Sequence, residues 1–338
     1  MKGMVSMRQC GVLLHISSLP DRGGVGTLGA EAYRFVDFCE KAGLRIWQML
    51  PVGPTGYGES PYQSTSCFAG NELLIDLREL ANEAALKPPV LADGEKVDFA
   101  DVRAQKTAFL HTLYEKVASA HAYELAAFRK DQPWVEDYAL FCAIKESFGG
   151  VMWTDWPDRA LRERQPEALR RATQELSAQI GYHVFVQWMF YSQWKALRTY
   201  ANAHGVKLFG DMPIYISEDS VDTWMHRELF QLGKDGKPTA VAGVPPDAFT
   251  DDGQRWGNPL YDWKAHRKQH FAWWTERMRA ASALFDIVRI DHFIGLANYY
   301  SIPAQYANAR IGRWRVTPGR RLFHTLRREL PELNIVAE

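Results

Sequence analysis

DIVRIDHF, residues 286–293, carries an apolar strand-like run into a carboxylate at Asp291, with Arg289 two positions before it. Two other segments end the same way: VKLFGDMP (206–213), whose strand closes at Asp211, and NIVAE (334–338), which closes at Glu338. In a β/α barrel the chemistry sits at the C-terminal ends of the parallel strands, so acids from successive strands converge on one mouth. The fold expectation is therefore α/β, with these three segments as neighbouring barrel strands.

Working outward, GVLLHI (11–16) reads as a strand and residues 30–42 as a helix, with Ala32, Phe35, Val36 and Cys39 at helical spacing and Gly43 as its cap. IWQMLPV (46–52) reads as the next strand, and its exit loop, GPTGYGESPYQSTSCFAGN, is long and rich in Gly, Pro and Tyr. Residues from about 78 to 205 interrupt the alternation with a mostly helical insertion: helices over 100–119, 134–148 and 166–204, the last interrupted at Gly181. The alternation then resumes with strand 206–211, a helix near 219–230, a small hairpin at LGKDGKPT (232–239) and a loop-rich insertion over about 231–263. Helix 266–285, strand 287–291, a basic segment, helix 319–330 and strand 334–338 complete the reading. The expectation is one barrel domain over 1–338 with about five strands in βα order, where a closed barrel of this type has eight.

Composition excludes several classes. With 46% apolar residues in 338, the chain can bury a large core. Its 40 basic and 40 acidic residues are interspersed, without the basic excess or stripe of a nucleic-acid binder. No apolar run approaches the ~20 residues that span a membrane. The first 19 residues faintly resemble a signal peptide, but Arg8 and Gln9 interrupt the apolar stretch. Cys10, Cys39, Cys67 and Cys142 lack metal-ligand spacing and read as buried, reduced thiols of a cytoplasmic protein. The histidines form no ligand cluster, and GGVGTLG lacks the lysine and glycine spacing of a phosphate loop. Twelve Trp, 14 Tyr and 17 Phe are a surplus of aromatic rings, and rings in Gly/Pro-rich loops suit the C–H faces of sugars.

Arg289 and Asp291, two apart on a strand, face the same side, so the guanidinium is expected to keep the carboxylate ionised. Glu338 follows Ile335, Val336 and Ala337, and an apolar surround would raise its pKa, as suits a general acid. Two such acids are what glycosidic bond cleavage needs. Asp211 reads either as a sugar-orienting group or as a structural acceptor, and HFAWW (270–274) as core.

Together these segments resemble the amylomaltase family, the 4-α-glucanotransferases of glycoside hydrolase family 77. The resemblance is carried by GVLLHISSLP, WQMLPVGPTGYGESPYQSTSCFAGN, FGDMPIYISEDSVDTW, GVPPDAF, GQRWGNPLYDW, FDIVRIDHFIGL and the terminal IVAE, in the family's order. It implies a (β/α)8 barrel and a retaining mechanism with Asp291 as nucleophile and Glu338 as acid/base, supported by Arg289. It further implies a substrate site that includes Tyr57, Ser60, Asp211 and His292, with Trp256 as a wall on the acceptor side and the 245–253 loop overhanging the cleft. The implied partners are maltooligosaccharides and other α-1,4-glucans with a glucose or glucan acceptor, with no metal or organic cofactor, nucleic acid or membrane. The family's chain continues past the acid/base, so the resemblance implies that these residues are its N-terminal two-thirds, ending after about the fifth barrel strand, with unpaired outer strands. Two other readings stay open: an α-glucan hydrolase of the same clan, and a chain that by itself is inactive, binding glucan without turnover.

Overall fold

The computed structural model describes residues 8–91 and 96–338, so the first seven residues of the signal-like stretch lie outside it. In chain order the strands are β1 (Gly11–Leu13), β2 (Ile46–Gln48), β3 (Lys207–Pro213), β4 (Ala240–Val244), β5 (Gln254–Pro259), β6 (Ile287–Asp291), β7 (Asn298–Pro303), β8 (Arg313–Val316) and β9 (Ile335–Ala337). They form two sheets. The first has the order β1-β2-β3-β6-β9, and every pairing in it is parallel. The second, β5-β4-β7-β8, is antiparallel and branches off beyond the ends of β3 and β6.

The parity of side chains along the parallel strands decides what faces what. Leu208 and Met212 on β3 and Val288 and Ile290 on β6 point one way and are buried under helices. Each such aliphatic side chain, fully removed from water, contributes roughly 1.5–3 kcal/mol. Gly210 shares that face by parity, and a Cβ there would come 2.2 Å from the Phe285 ring. The alternate positions, Asp211 on β3 and Arg289 and Asp291 on β6, share the opposite face.

Between β2 and β3 the chain makes the expected helical insertion, with helices that include Phe99–Val117, Trp134–Ser147, Pro166–Glu175 and Ser177–Ala203. The last does not break at Gly181. It begins at Ser177 after a turn at Leu176, and Gly181 serves a close approach: a Cβ would lie 2.2 Å from the Tyr114 hydroxyl on the neighbouring helix. The insertion forms a second apolar cluster, in which its Phe141, Trp153 and Trp156 pack together with Trp224 from beyond β3.

Four other expectations change. The helix near 219–230 is only Val221–Met225, followed by a single 3-10 turn at Arg227–Leu229. The helix placed over 266–285 is two, Trp263–Lys268 and Ala272–Leu284, separated by His270 and Phe271, both with positive φ. The region read as loop-rich, 231–263, supplies two strands of the antiparallel sheet. The cysteines are free thiols, but Cys10 is exposed and Cys67 and Cys142 are only partly buried; Cys39 alone is fully enclosed. The HFAWW segment is core as expected, with Phe271, Trp273 and Trp274 buried. No helix among the described residues is long and apolar enough to cross a membrane.

Candidate active site

The parallel register brings the three acids together. Asp211 on β3 pairs with Arg289 on β6, and Ile290 on β6 pairs with Ala337 on β9, which sets Glu338 beside Asp291. The Glu338 amide donates to the Ile290 carbonyl at 3.3 Å, extending the ladder to the last residue. One guanidinium serves all three carboxylates. Arg289 Nη1 lies 2.7 Å from both oxygens of Asp211 and 3.0 Å from Asp291 Oδ1, while Nη2 lies 3.5 Å from Glu338 Oε1.

The three acids differ in surroundings. Asp211 is buried, at 6% exposure, and also accepts a hydrogen bond from the Tyr62 phenol at 2.8 Å. Burial and the neighbouring Asp211 charge push the Asp291 carboxyl above its ordinary value, with Glu338 adding to the rise and Arg289 opposing it. The sequence expectation that Arg289 dominates Asp291 is therefore corrected: the cation is shared, and Asp211 holds the shorter contacts. Glu338 does not sit in an apolar surround either. Its side chain is 49% exposed, and Oε2 accepts the His292 backbone N–H at 2.8 Å.

His292 caps β6 in a left-handed conformation, φ 51° and ψ 46°. A non-glycine residue held there costs of order 1–3 kcal/mol, and such positions cluster at functional sites. The strained turn aims the amide at Glu338 and sets the imidazole edge-on to Trp256, with ring centroids 4.8 Å apart. Burial lowers the His292 pKa, so the ring is mostly neutral near pH 7.

A cavity of about 400 Å³ opens over this corner, lined by Tyr62, Gln63, Tyr215, Trp256, Asp291 and His292 among others. Arg277 braces its floor from the helix behind. Its buried guanidinium donates to the Ile214 carbonyl and the Tyr261 hydroxyl, both at 2.9 Å, and to the Pro213 carbonyl, fixing the chain as it leaves β3. A larger, more open cavity of about 1010 Å³ lies between Trp263, Phe293 and the helix Gly319–Glu329, but no carboxylate among the described residues lines it.

Of the residues singled out from sequence, Asp211, Arg289, Asp291, His292, Trp256 and Glu338 meet at one corner. Ser60 does not reach the cavity; its hydroxyl accepts the Tyr62 amide at 3.3 Å and shapes the loop. The Tyr57 side chain lies outside the described part of the structure. The 245–253 loop carries Phe249 at 97% exposure and lies outside the cavity wall. Sequence reasoning missed Tyr62, Tyr215 and Arg277. Tyr62 lay inside a block recognised as functional, and its signal was a tyrosine following a proline in that loop; Arg277 had no local signal.

Acids at adjacent ends of parallel strands, with aromatic walls above them, define the class of α/β carbohydrate-active enzymes. Comparison with known proteins narrows it. The family model described as 4-alpha-glucanotransferase matches residues 14–338. The chain belongs to that family, glycosyltransferases that act on α-1,4-glucans. It is 46% identical to the 4-alpha-glucanotransferase of Thermus thermophilus, over 98% of this chain and 67% of that protein. With the chloroplastic/amyloplastic 4-alpha-glucanotransferase of Solanum tuberosum it shares 38% identity over 98% of this chain and 60% of the relative. The solved amylomaltase of Streptococcus agalactiae, in complex with acarbose, superposes with a TM-score of 0.95 at 42% identity, covering 98% of this chain and 68% of that one.

Proposed function

We propose that this chain carries out 4-α-glucanotransfer by a retaining double displacement, with Asp291 as nucleophile and Glu338 as acid/base. The carrying observation is that these two carboxylates end adjacent parallel strands at the same level and share Arg289. Strands ~4.8 Å apart suit the ~5–5.5 Å carboxyl spacing of retaining glycosidases, and leave too little room for the water of an inverting one.

Glu338 protonates the glycosidic oxygen as Asp291 attacks the anomeric carbon, leaving a covalent glycosyl-enzyme and releasing the reducing-end fragment. Glu338 then takes the proton of an acceptor 4-hydroxyl as that oxygen displaces Asp291, restoring an α-1,4 bond. The excess of carboxylates over cations around Arg289 favours the positive charge that develops on the sugar ring. Asp211, clamped by Arg289 and Tyr62, supports the donor sugar together with His292; Trp256, edge-on to His292, walls the acceptor side and excludes water. The acarbose complex of the Streptococcus agalactiae relative supports carbohydrate binding by this fold. In this reading the five parallel strands are barrel strands, the helices between β2 and β3 are an insertion into one catalytic domain, and the enzyme works in the cytoplasm.

Incubation with maltotriose tests the proposal. Glucose with a ladder of longer maltooligosaccharides is the expected result, lost in Asp291→Asn; glucose and maltose alone would mean hydrolysis, and no product would overturn the reading for this chain.

A further inference from the structure

Among the described residues the helical insertion contributes no side chain to the carboxylate cluster, yet one of its arginines is tied to the loop that does. Arg103 stands one turn into the helix Phe99–Val117, whose start is fixed by the Asp98 carboxylate accepting the Asp101 amide at 3.1 Å. Its Nη1 pairs with Glu72, while Nη2 donates to Glu59 Oε2 at 2.8 Å and to the Thr55 hydroxyl at 3.1 Å. Thr55 in turn donates to the same Glu59 carboxylate. All three charged side chains are at most one-third exposed.

Glu59 is not an ordinary loop residue. It sits at φ 53°, in the left-handed region, at the tip of the loop 54–65. A conformation that costs free energy persists only where surrounding contacts over-determine it, and here those contacts are Arg103 and Thr55. The two legs of the loop are laced together by the Thr55–Ser64 bridge and by the Gly56 amide donating to the Gln63 carbonyl at 3.1 Å. Tyr62 follows directly from that tip and donates to Asp211 at 2.8 Å.

We propose that Arg103 is a positioning residue for glucan transfer: by clamping Glu59 and Thr55 it sets the loop so that Tyr62 holds Asp211, and through Asp211 the shared Arg289. This rests on the reading of the Asp211–Arg289–Asp291 cluster as catalytic. The path is contiguous, from Arg103 to Glu59, along the laced loop to Tyr62, then to Asp211 and Arg289. The loop base is anchored separately, by the Val221 amide on the Thr65 carbonyl and the Cys67 amide on Asp222, both at 2.9 Å. Losing Arg103 therefore frees the tip and leaves the base in place. Lys106, one turn further on, is spent on the Leu73 and Ile75 carbonyls and does not substitute for it.

A double-mutant cycle on the full chain tests the path. Arg103→Ala is expected to lower kcat/KM for maltotriose disproportionation about tenfold, mostly in kcat, with Arg103→Lys recovering part of the loss. In a Tyr62→Phe background the same Arg103→Ala change is expected to add less than about twofold. Full additivity of the two losses would overturn the proposal. Amide hydrogen exchange gives a second arm that needs no turnover: the Glu59 and Gln63 amides are expected to exchange at least tenfold faster in Arg103→Ala, with β3 unchanged. Unaltered exchange in the loop would also overturn it. Should Arg103→Ala fail to fold, Glu59→Ala breaks the same clamp from the loop side and carries the same expectations. A wild-type chain inactive on maltotriose would count against the catalytic reading alone, and exchange would still decide the clamp.

Discussion

Asp211 and Arg289 are register partners on adjacent parallel strands, and both oxygens of the carboxylate lie 2.7 Å from one guanidinium nitrogen. The arginine's first commitment is thus to Asp211, with Asp291 and Glu338 sharing the remainder of its field. This ordering leaves Asp291 with a raised pKa despite a cation 3.0 Å away.

The acid limb of activity follows from that relationship. A nucleophile must be ionised, and Arg289 opposes the burial and like-charge effects that raise Asp291. Arg289→Gln is expected to move the acidic limb of the kcat/KM profile to higher pH and to lower the plateau. A limb that stays in place would show that Asp291 is not the titrating group.

Asp291→Asn separates catalysis from stability. Loss of the nucleophile is expected to cost about four orders of magnitude or more in transfer. Stability should move the other way. With a folded pKa above the unfolded 3.8, the native state binds this proton more tightly, so Asp291 destabilises the fold as pH rises above 3.8, fully so beyond its raised value. The asparagine variant is expected to melt at or above the wild-type temperature near pH 7 and to lose that advantage near pH 3; a lower Tm at pH 7 would contradict the assignment.

Tyr62→Phe removes one hydrogen bond to a buried carboxylate. Burial and Asp211 raise the phenol pKa, so it remains a donor throughout the working range. A bond to a charged group is worth about 1.5–3 kcal/mol, which predicts roughly a tenfold to hundredfold loss in kcat/KM. Steady-state kinetics on maltotriose checks it, and a change below threefold would remove Tyr62 from the supporting network.

Trp256→Ala opens the wall against His292, whose ring its indole meets edge-on. Water then competes better with an acceptor sugar for the glycosyl-enzyme. The ratio of hydrolysis to transfer is expected to rise severalfold, read as reducing ends released per glucan extended. An unchanged ratio would place water exclusion elsewhere, with the exposed Phe249 loop the next place to look.

What the sequence made legible was the part governed by local parity. The strands that carry Asp211, Asp291 and Glu338 were readable because residues two apart share a face, although β3 runs two residues past Asp211, to Pro213, and β9 stops one short of Glu338; the helix over 30–42 was readable because its apolar spacing is regular, and it spans Ala30–Lys41. The antiparallel sheet was not readable. GQRWGNP lacks the alternation of a half-buried strand, and all of β8 is exposed. The break at His270 and Phe271 carries no glycine or proline to announce its two left-handed residues. Within the site, the Tyr62–Asp211 bond spans 149 positions, and the charge state of Asp291 depends on burial and on Asp211 across the sheet as well as on Arg289 of its own strand. Both are properties of tertiary placement, which no local pattern encodes.

Two other histidines, His15 and His266, are expected to limit the stability of the fold in acid. Burial lowers His15 and His266 from 6.5 to about 4, in the latter case against the Leu229 carbonyl and Asp262, which act to raise it. A folded pKa below the unfolded one means that the unfolded chain binds more protons between those values, so stability rises with pH there and is lost as pH falls from 6.5 toward 4. Each shift corresponds to about 3 kcal/mol at 1.36 kcal/mol per unit. Urea unfolding at pH 7 and pH 4.5 is expected to show a loss of several kcal/mol, with a proton uptake on unfolding approaching two between those limits. His266→Gln, which keeps a polar group but cannot titrate, should remove about half of that pH-dependent loss. If the variant and the wild type lose stability in parallel, His266 is not buried as a neutral ring and acid sensitivity arises from other groups.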